Sequence, residues 1–192
     1  MAKYLKYYLS TCSLIGAIWT TVIGNYYPTY FYIGFSIFVI AGDILIKDDT
    51  KVDKYSYPFL INLPMYINFP LLIILISLVV DSVSGFNSQA IGQFYNYLNN
   101  ETYGYVPLSM IDKISLIATT CLFIGIMGTV PGHELTHRKK NKFDMFIGNW
   151  LLAISWDCAF AIEHVYGHHK NVGLAKDPAT AKRGENIYKF VI

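Results

Sequence analysis

Apolar residues run along this chain in long unbroken stretches and not in short alternating periods. About 5–24, 28–46, 59–80, 114–131 and 143–162 each approach the roughly 20 residues that a helix needs to cross a hydrocarbon core. The first four predict spanning helices. Asn25 to Pro28 reads as a tight turn that closes the first two into a hairpin, and the longer loop of residues 81–113 joins the second pair. The fifth stretch contains Asp144 and Asp157, which are costly inside hydrocarbon, so it predicts an interfacial or re-entrant helix instead of a span. The expected fold is therefore all-α: an integral membrane helical bundle in one domain over 1–192, with about four spanning helices in two hairpins plus that extra helix.

Charge orders these helices. Lys3 and Lys6, then Lys47, Lys51 and Lys54, then Arg138, Lys139, Lys140 and Lys142 fall at alternate ends of the spans, which the positive-inside rule makes cytoplasmic. The Asn25 turn has no Lys or Arg and the 81–113 loop has only Lys113, so both belong on the far side. The first stretch is long for a signal h-region and lacks a small-residue cleavage site, so it reads as a retained span. Tyr26, Tyr27, Tyr30, Phe31 and Tyr32 read as an interfacial aromatic belt.

Composition agrees with a membrane protein and narrows the partners. With 54% hydrophobic and 15% charged residues the chain does not fit a water-soluble globule, and a net charge of +2 spread between apolar runs does not fit nucleic acid. Cys12, Cys121 and Cys158 are odd in number and far apart, which predicts buried free thiols and no disulfide framework. Asn100-Glu101-Thr102 is formally a glycosylation triplet, a pattern common by chance.

The chemistry is concentrated in the 5 histidines, which all lie in HELTHRKKN (133–141) and EHVYGHHKNVG (163–173). On a helix, residues i and i+4 share a face, so His133 with His137, and His164 with His168, can each aim at one metal, with His169 a neighbour at a different angle. Imidazole suits Zn, Fe, Cu and Ni, and five imidazoles exceed what one catalytic zinc uses. If 143–162 crossed the membrane the two blocks would lie on opposite faces, and one centre could not use both. HELTH is also literally HExxH, the zinc-protease spacing with Glu134 as general base, but that reading leaves the second block idle. A carboxylate-rich di-iron bundle needs Glu-x-x-His twice, and Glu163 is followed by Tyr166. A metal transporter would place ligands midway along spans, not at their ends.

HELTHRKK, EHVYGHHKNVG and the following DPATAKRGENIYKF together resemble the membrane-bound, histidine-rich di-iron monooxygenases, in particular the alkane 1-monooxygenase family and its xylene monooxygenase relatives. Fatty acid desaturases are the more distant kin, and HxxxH followed by HxxxHH is common to the whole superfamily; the DPAT…GE…Y run points to the hydroxylases. The resemblance covers residues 133–192. It implies two Fe ions held almost wholly by histidine, with His133 and His137 in the first box and His164, His168 and His169 in the second. Glu134, Glu163 and Asp177 are then candidates to fix the histidine rings. It also implies O₂-dependent hydroxylation of an alkane or alkyl-arene methyl drawn from the lipid bilayer. Electrons would come from rubredoxin or a ferredoxin-type donor with its reductase, at the cytoplasmic face of a bacterial inner membrane. A membrane desaturase or an HExxH protease remains the alternative. The family carries further histidine motifs, so the chain is expected to be an N-terminal portion, inactive alone, with the remaining metal ligands outside it.

Overall fold

A computed structural model of the chain describes residues 2–46, 54–84 and 108–191. Lys47, Lys51, the Asn100 triplet and most of the 81–113 loop lie outside the described residues. Among the described residues all regular structure is helical, and the chain divides into two compact units, Met1–Gly128 and Thr129–Ile192.

The first unit is built from α1 (Leu9–Ile23), α2 (Tyr27–Leu45), α3 (Pro58–Ser84) and α4 (Met110–Phe123). Gly24 and Asn25, at φ 74° and 52°, make the reversal between α1 and α2, using the two residue types that tolerate left-handed backbone best. Gly16 lets Phe31 close on α1: a Cβ there would stand 2.9 Å from the ring. α1 packs most extensively on α3, and α2 on α4. Leu14, Ala17 and Thr21 of α1 recur at three- and four-residue intervals, as do Asn68, Leu72 and Leu75 of α3, and all are buried. Phe123 of α4 meets Phe35 edge-on at 4.9 Å and Phe31 at 6.1 Å.

Among the described residues three single helical stretches are long and apolar enough to cross a membrane: Tyr27–Leu45, Pro58–Ser84 and Met110–Thr136. The protein is an integral membrane protein. The first expected span is helical over residues 2–23, where Ala2–Leu5, a 3₁₀ turn at Lys6–Tyr8 and α1 follow one another without a break. At about 1.5 Å per residue in the α segments and about 2.0 Å in the 3₁₀ turn, that run matches a hydrocarbon core of about 30 Å. The expected buried thiols are corrected, since Cys12, Cys121 and Cys158 are all exposed and free. Cys12 and Cys121 lie on the outward faces of α1 and α4, where lipid takes the place of a protein core as the apolar surrounding.

Two polar sites tie the first unit together. Asn68, buried between Pro64 and Pro70 on α3, accepts from the Thr11 hydroxyl (2.9 Å) and donates to Ser10 Oγ (3.2 Å) on α1. Asp112 completes a capping box with Ser109 at the start of α4 and accepts the hydroxyl of Thr29 on α2. Asn68→Leu removes both bonds to α1, and unfolding titrations in mixed micelles are expected to show a loss of about 0.6–1.7 kcal/mol, the range of interhelical hydrogen bonds in membranes. An unchanged midpoint would mean the pair contributes nothing.

The second unit follows a π-helical stretch, Ile124–Thr129, and comprises α5 (Val130–Thr136), α6 (Lys142–Ile154), α7 (Phe160–Ile162), a second π-helical stretch (Glu163–His168), α8 (His169–Asn171) and α9 (Ile187–Val191). Pro131 has no N–H to give to the ladder, and regular α geometry is lost in the turn just before it. α6 has 13 residues, about 20 Å, less than a hydrocarbon core of about 30 Å. The 143–162 stretch is broken at Ser155–Ala159 into α6 and α7.

Candidate metal centre

The first histidine block rides on an antiparallel helix pair held by two glycines. A Cβ on Gly132 of α5 would lie 2.9 Å from Leu152 Cγ and 3.1 Å from the Gly148 carbonyl; one on Gly148 of α6 would lie 3.0 Å from the Gly132 carbonyl, Leu135 Cβ and Thr136 Cγ2. Backbone thus meets backbone, which fixes α5 against α6 at the turn that carries His133 and His137. Asn141 caps α6, its side-chain oxygen accepting from the Phe143 and Asp144 amides at 3.0 and 3.3 Å. Arg138 closes the connection through the buried Asp144 (3.5 Å) and through Glu134 (3.1 Å).

The two blocks converge. Nε2 of His133 lies 2.9 Å from Nε2 of His137 and 2.8 Å from Nε2 of His164, and His164 Nε2 lies 3.0 Å from His169 Nε2. The ligand nitrogens of these four residues all fall within 4.8 Å of one another, a group that could hold a metal ion. Phe160 lies over the His164 ring at 4.6 Å and meets His133 edge-on at 5.5 Å, shielding one side. Desolvation pushes the pKa of His164 down, and the surrounding His133, His169, His137 and His168 rings push it further the same way. The neutral, lone-pair form is the one that ligates metals.

The second block differs from the simple helical expectation. The pair His164 and His168 at i, i+4 is replaced by His164 and His169 at i, i+5, because the stretch is π-helical and the His169 amide donates to the His164 carbonyl, five residues back. The wider turn rotates His169 to the cluster and leaves His168 beside it, its ring 5.4 Å from that of His164. His168 Nδ1 instead lies 2.8 Å from Asp177 Oδ2. That carboxylate also accepts from the Thr180 hydroxyl and the Ala179 amide (3.1 Å). The Thr180 bond is the chief cause that holds Asp177 below the usual carboxylate range, against desolvation, with the Ala179 amide and His168 adding to it.

The carboxylates beside the boxes are disposed otherwise than the resemblance implies. Glu134 is turned to Arg138 in an i, i+4 ion pair and is 57% exposed, so it does not reach a histidine nitrogen. Glu163 is exposed and hydrogen-bonds none of the described histidines. It lines a cavity of about 620 Å³ with Phe160, His164, His168 and Asp177. Sequence reasoning missed Phe160 and Thr180. Phe160 stands four residues before His164, a helical neighbour that was there to be read; Thr180 carried no signal until the loop was folded.

The sequence profile of the fatty acid desaturase family matches residues 114–192, the segment that contains both histidine blocks. The chain is 39% identical over 89 residues to the alkane 1-monooxygenase of Ectopseudomonas oleovorans, covering 46% of this chain and 22% of that protein. It is 48% identical over 87 residues to alkane 1-monooxygenase 1 of Alcanivorax borkumensis, covering 44% and 20%. Over 196 aligned residues it is 28% identical to the xylene/toluene monooxygenase hydroxylase component XylM of Pseudomonas putida, covering 98% of this chain and 46% of that one. The matched segments thus span about a fifth of the length of these two alkane monooxygenases and just under half of the xylene enzyme. No solved structure matches it. The histidine-bearing segment is thus similar to the alkane monooxygenases, and nearly the whole chain is similar to the xylene enzyme.

Proposed function

We propose that the protein hydroxylates an unactivated C–H bond of a hydrocarbon, an alkane terminus or a methyl on an aromatic ring, with O₂ at histidine-held iron. The observation that carries this reading is the meeting of four imidazoles from the two blocks at one place. The donor set fits iron: His133, His137, His164 and His169 bring ring nitrogens together, and neutral imidazole is an accepted ligand of Fe, Zn, Cu and Ni. The family resemblance supports iron among these, and we read the site as two ions with His168 as the fifth imidazole. Iron, when bound, supplies the O₂ chemistry that no amino-acid side chain performs. This chain's own residues hold and orient: α5 and α6 fix the first pair, the π turn aligns His164 with His169, and Phe160 keeps water from one side.

The zinc-protease reading of HELTH fares worse, because a general base must stand beside a metal-bound water. Glu134 is paired with Arg138 instead, and the second block completes the cluster that such a protease would leave idle.

Arg138, Lys139, Lys140, Lys142, Lys170, Lys176, Lys182 and Arg183 give the second unit a basic surface. By the positive-inside rule we place it at the cytoplasmic face of a bacterial inner membrane, where it would steer an acidic rubredoxin or ferredoxin-type donor and its reductase. Double charge reversal at Lys139 and Lys140 is expected to slow reduction several-fold at low salt with iron content unchanged. Stopped-flow reduction at the same rate in both proteins would reject the docking role.

The function itself is tested in membranes carrying the complete natural protein, by metal content and by supplying alkanes and alkyl-arenes with O₂ and reductant. Bound iron and an alcohol product are expected. Bound zinc with peptide cleavage would overturn the reading, and a dehydrogenated acyl chain would transfer it to the desaturases.

A further inference from the structure

The five histidines are not equivalent. Four crowd their Nε2 atoms together, whereas His168 is engaged through its other nitrogen, Nδ1, with Asp177. Asp177 is buried (4% exposed) at the centre of the 172–180 loop, and every partner it has there is a donor: the Ala179 amide, the Thr180 hydroxyl and His168. Thr180 is itself fixed, since its oxygen accepts the amide of Gly173, a residue at φ +78°, at 3.0 Å. An ionised carboxylate only accepts hydrogen bonds, so the proton between His168 and Asp177 belongs to Nδ1 of the ring. In a neutral imidazole the other nitrogen then carries the lone pair.

We propose that Asp177, braced by Thr180 and the Ala179 amide, is a positioning residue that locks His168 in the Nδ1–H tautomer and so makes its Nε2 a permanent metal donor beside the four-imidazole cluster. The assignment rests on the reading of the cluster as an iron site. It gives each part of the Asp-Pro-Ala-Thr run, residues 177–180, a chemical role. Asp177 supplies the acceptor, Pro178 shapes the turn, and Thr180 holds the accepting oxygen in place. It also explains why the loop is wired to the second block by a side chain of a histidine, nine residues back along the chain, and not by a backbone contact alone.

The test uses the full chain in lipid nanodiscs with ¹⁵N-labelled histidine. In the metal-free protein the His168 ring nitrogens are expected to show a protonated Nδ1 and an unprotonated Nε2, a signature that Asp177→Ala averages toward the free tautomer mixture and Asp177→Glu partly restores. Ferrous iron is then titrated anaerobically against a chelator. Asp177→Ala is expected to weaken retention by about 10–100-fold, the usual cost of losing an outer partner of a ligand histidine. Thr180→Val is expected to move it the same way by less. In a His168→Ala background, Asp177→Ala should add nothing further, because its effect passes through that ring. A protonated Nε2 in the parent protein, or an undiminished Asp177→Ala effect when His168 is gone, would overturn the proposal. If the parent protein binds no iron, the iron reading fails while the tautomer measurement still decides the role of Asp177.

Discussion

Replacing His164 by alanine is expected to strip the centre of metal. His164 Nε2 stands between His133 at 2.8 Å and His169 at 3.0 Å, so it bridges the first block to the second nitrogen to nitrogen. Without it the edge-on contact of the His137 and His169 rings at 4.9 Å is left between the blocks, and Phe160 loses the ring it lies over at 4.6 Å. The loss of affinity should exceed the about 10–100-fold that removal of an outer partner costs, because a ligand itself is gone. Iron analysis of the purified variant should fall to background, and hydrocarbon oxidation with it. The helical content should persist, since His164 is half-buried and makes no part of the apolar core. Full iron retention by His164→Ala would mean that the cluster is not the metal site.

A second large effect is expected far from any ligand, at Gly148. Valine there must place its Cβ 3.0 Å from the Gly132 carbonyl, Leu135 Cβ and Thr136 Cγ2, none of them the loose end of a flexible side chain. Overpacking of this kind typically costs about 1–3 kcal/mol. The helix pair can relieve it only by parting, and parting moves the turn that carries His133 and His137. Gly148→Val should therefore lower both thermal stability and iron content, whereas Gly34→Ala on α2, with nothing within 4 Å of the added Cβ, should leave both near the parent values. Equal behaviour of the two variants would show that the close approach at Gly148 is relieved without cost.

What could be read from the sequence and what could not divide along physical lines. Long apolar runs survive any local detail, so α2, α3 and the Met110–Thr136 stretch were legible within a few residues. The 3₁₀ turn at Lys6–Tyr8 was not, because a single tight turn leaves hydropathy unchanged. The 143–162 stretch was read from Asp144 and Asp157 as one interfacial or re-entrant helix; the structure breaks it at Ser155–Ala159 and uses Asp144 at the start of α6, where Asn141 caps its amide and Arg138 pairs with its carboxylate. Histidine spacing drew attention to both blocks, and His133 with His137 meet as i and i+4 should. The choice of His169 over His168 was invisible, because spacing rules assume 3.6 residues per turn and the backbone here uses a wider one. Glu134 was misjudged for an ordinary reason: an arginine four residues on competes for it.

That wider turn has a consequence for how two adjacent imidazoles share one chain. His168 and His169 are consecutive, and a shift of the amide partner of His169 from the fifth residue back to the fourth would rotate the strip and exchange which ring faces inward. The hydrogen-bond ladder, and not the order of the residues, thus sets His169 within the cluster and His168 at its edge. Asp177, by holding His168 through Nδ1, fixes the second ring in that place.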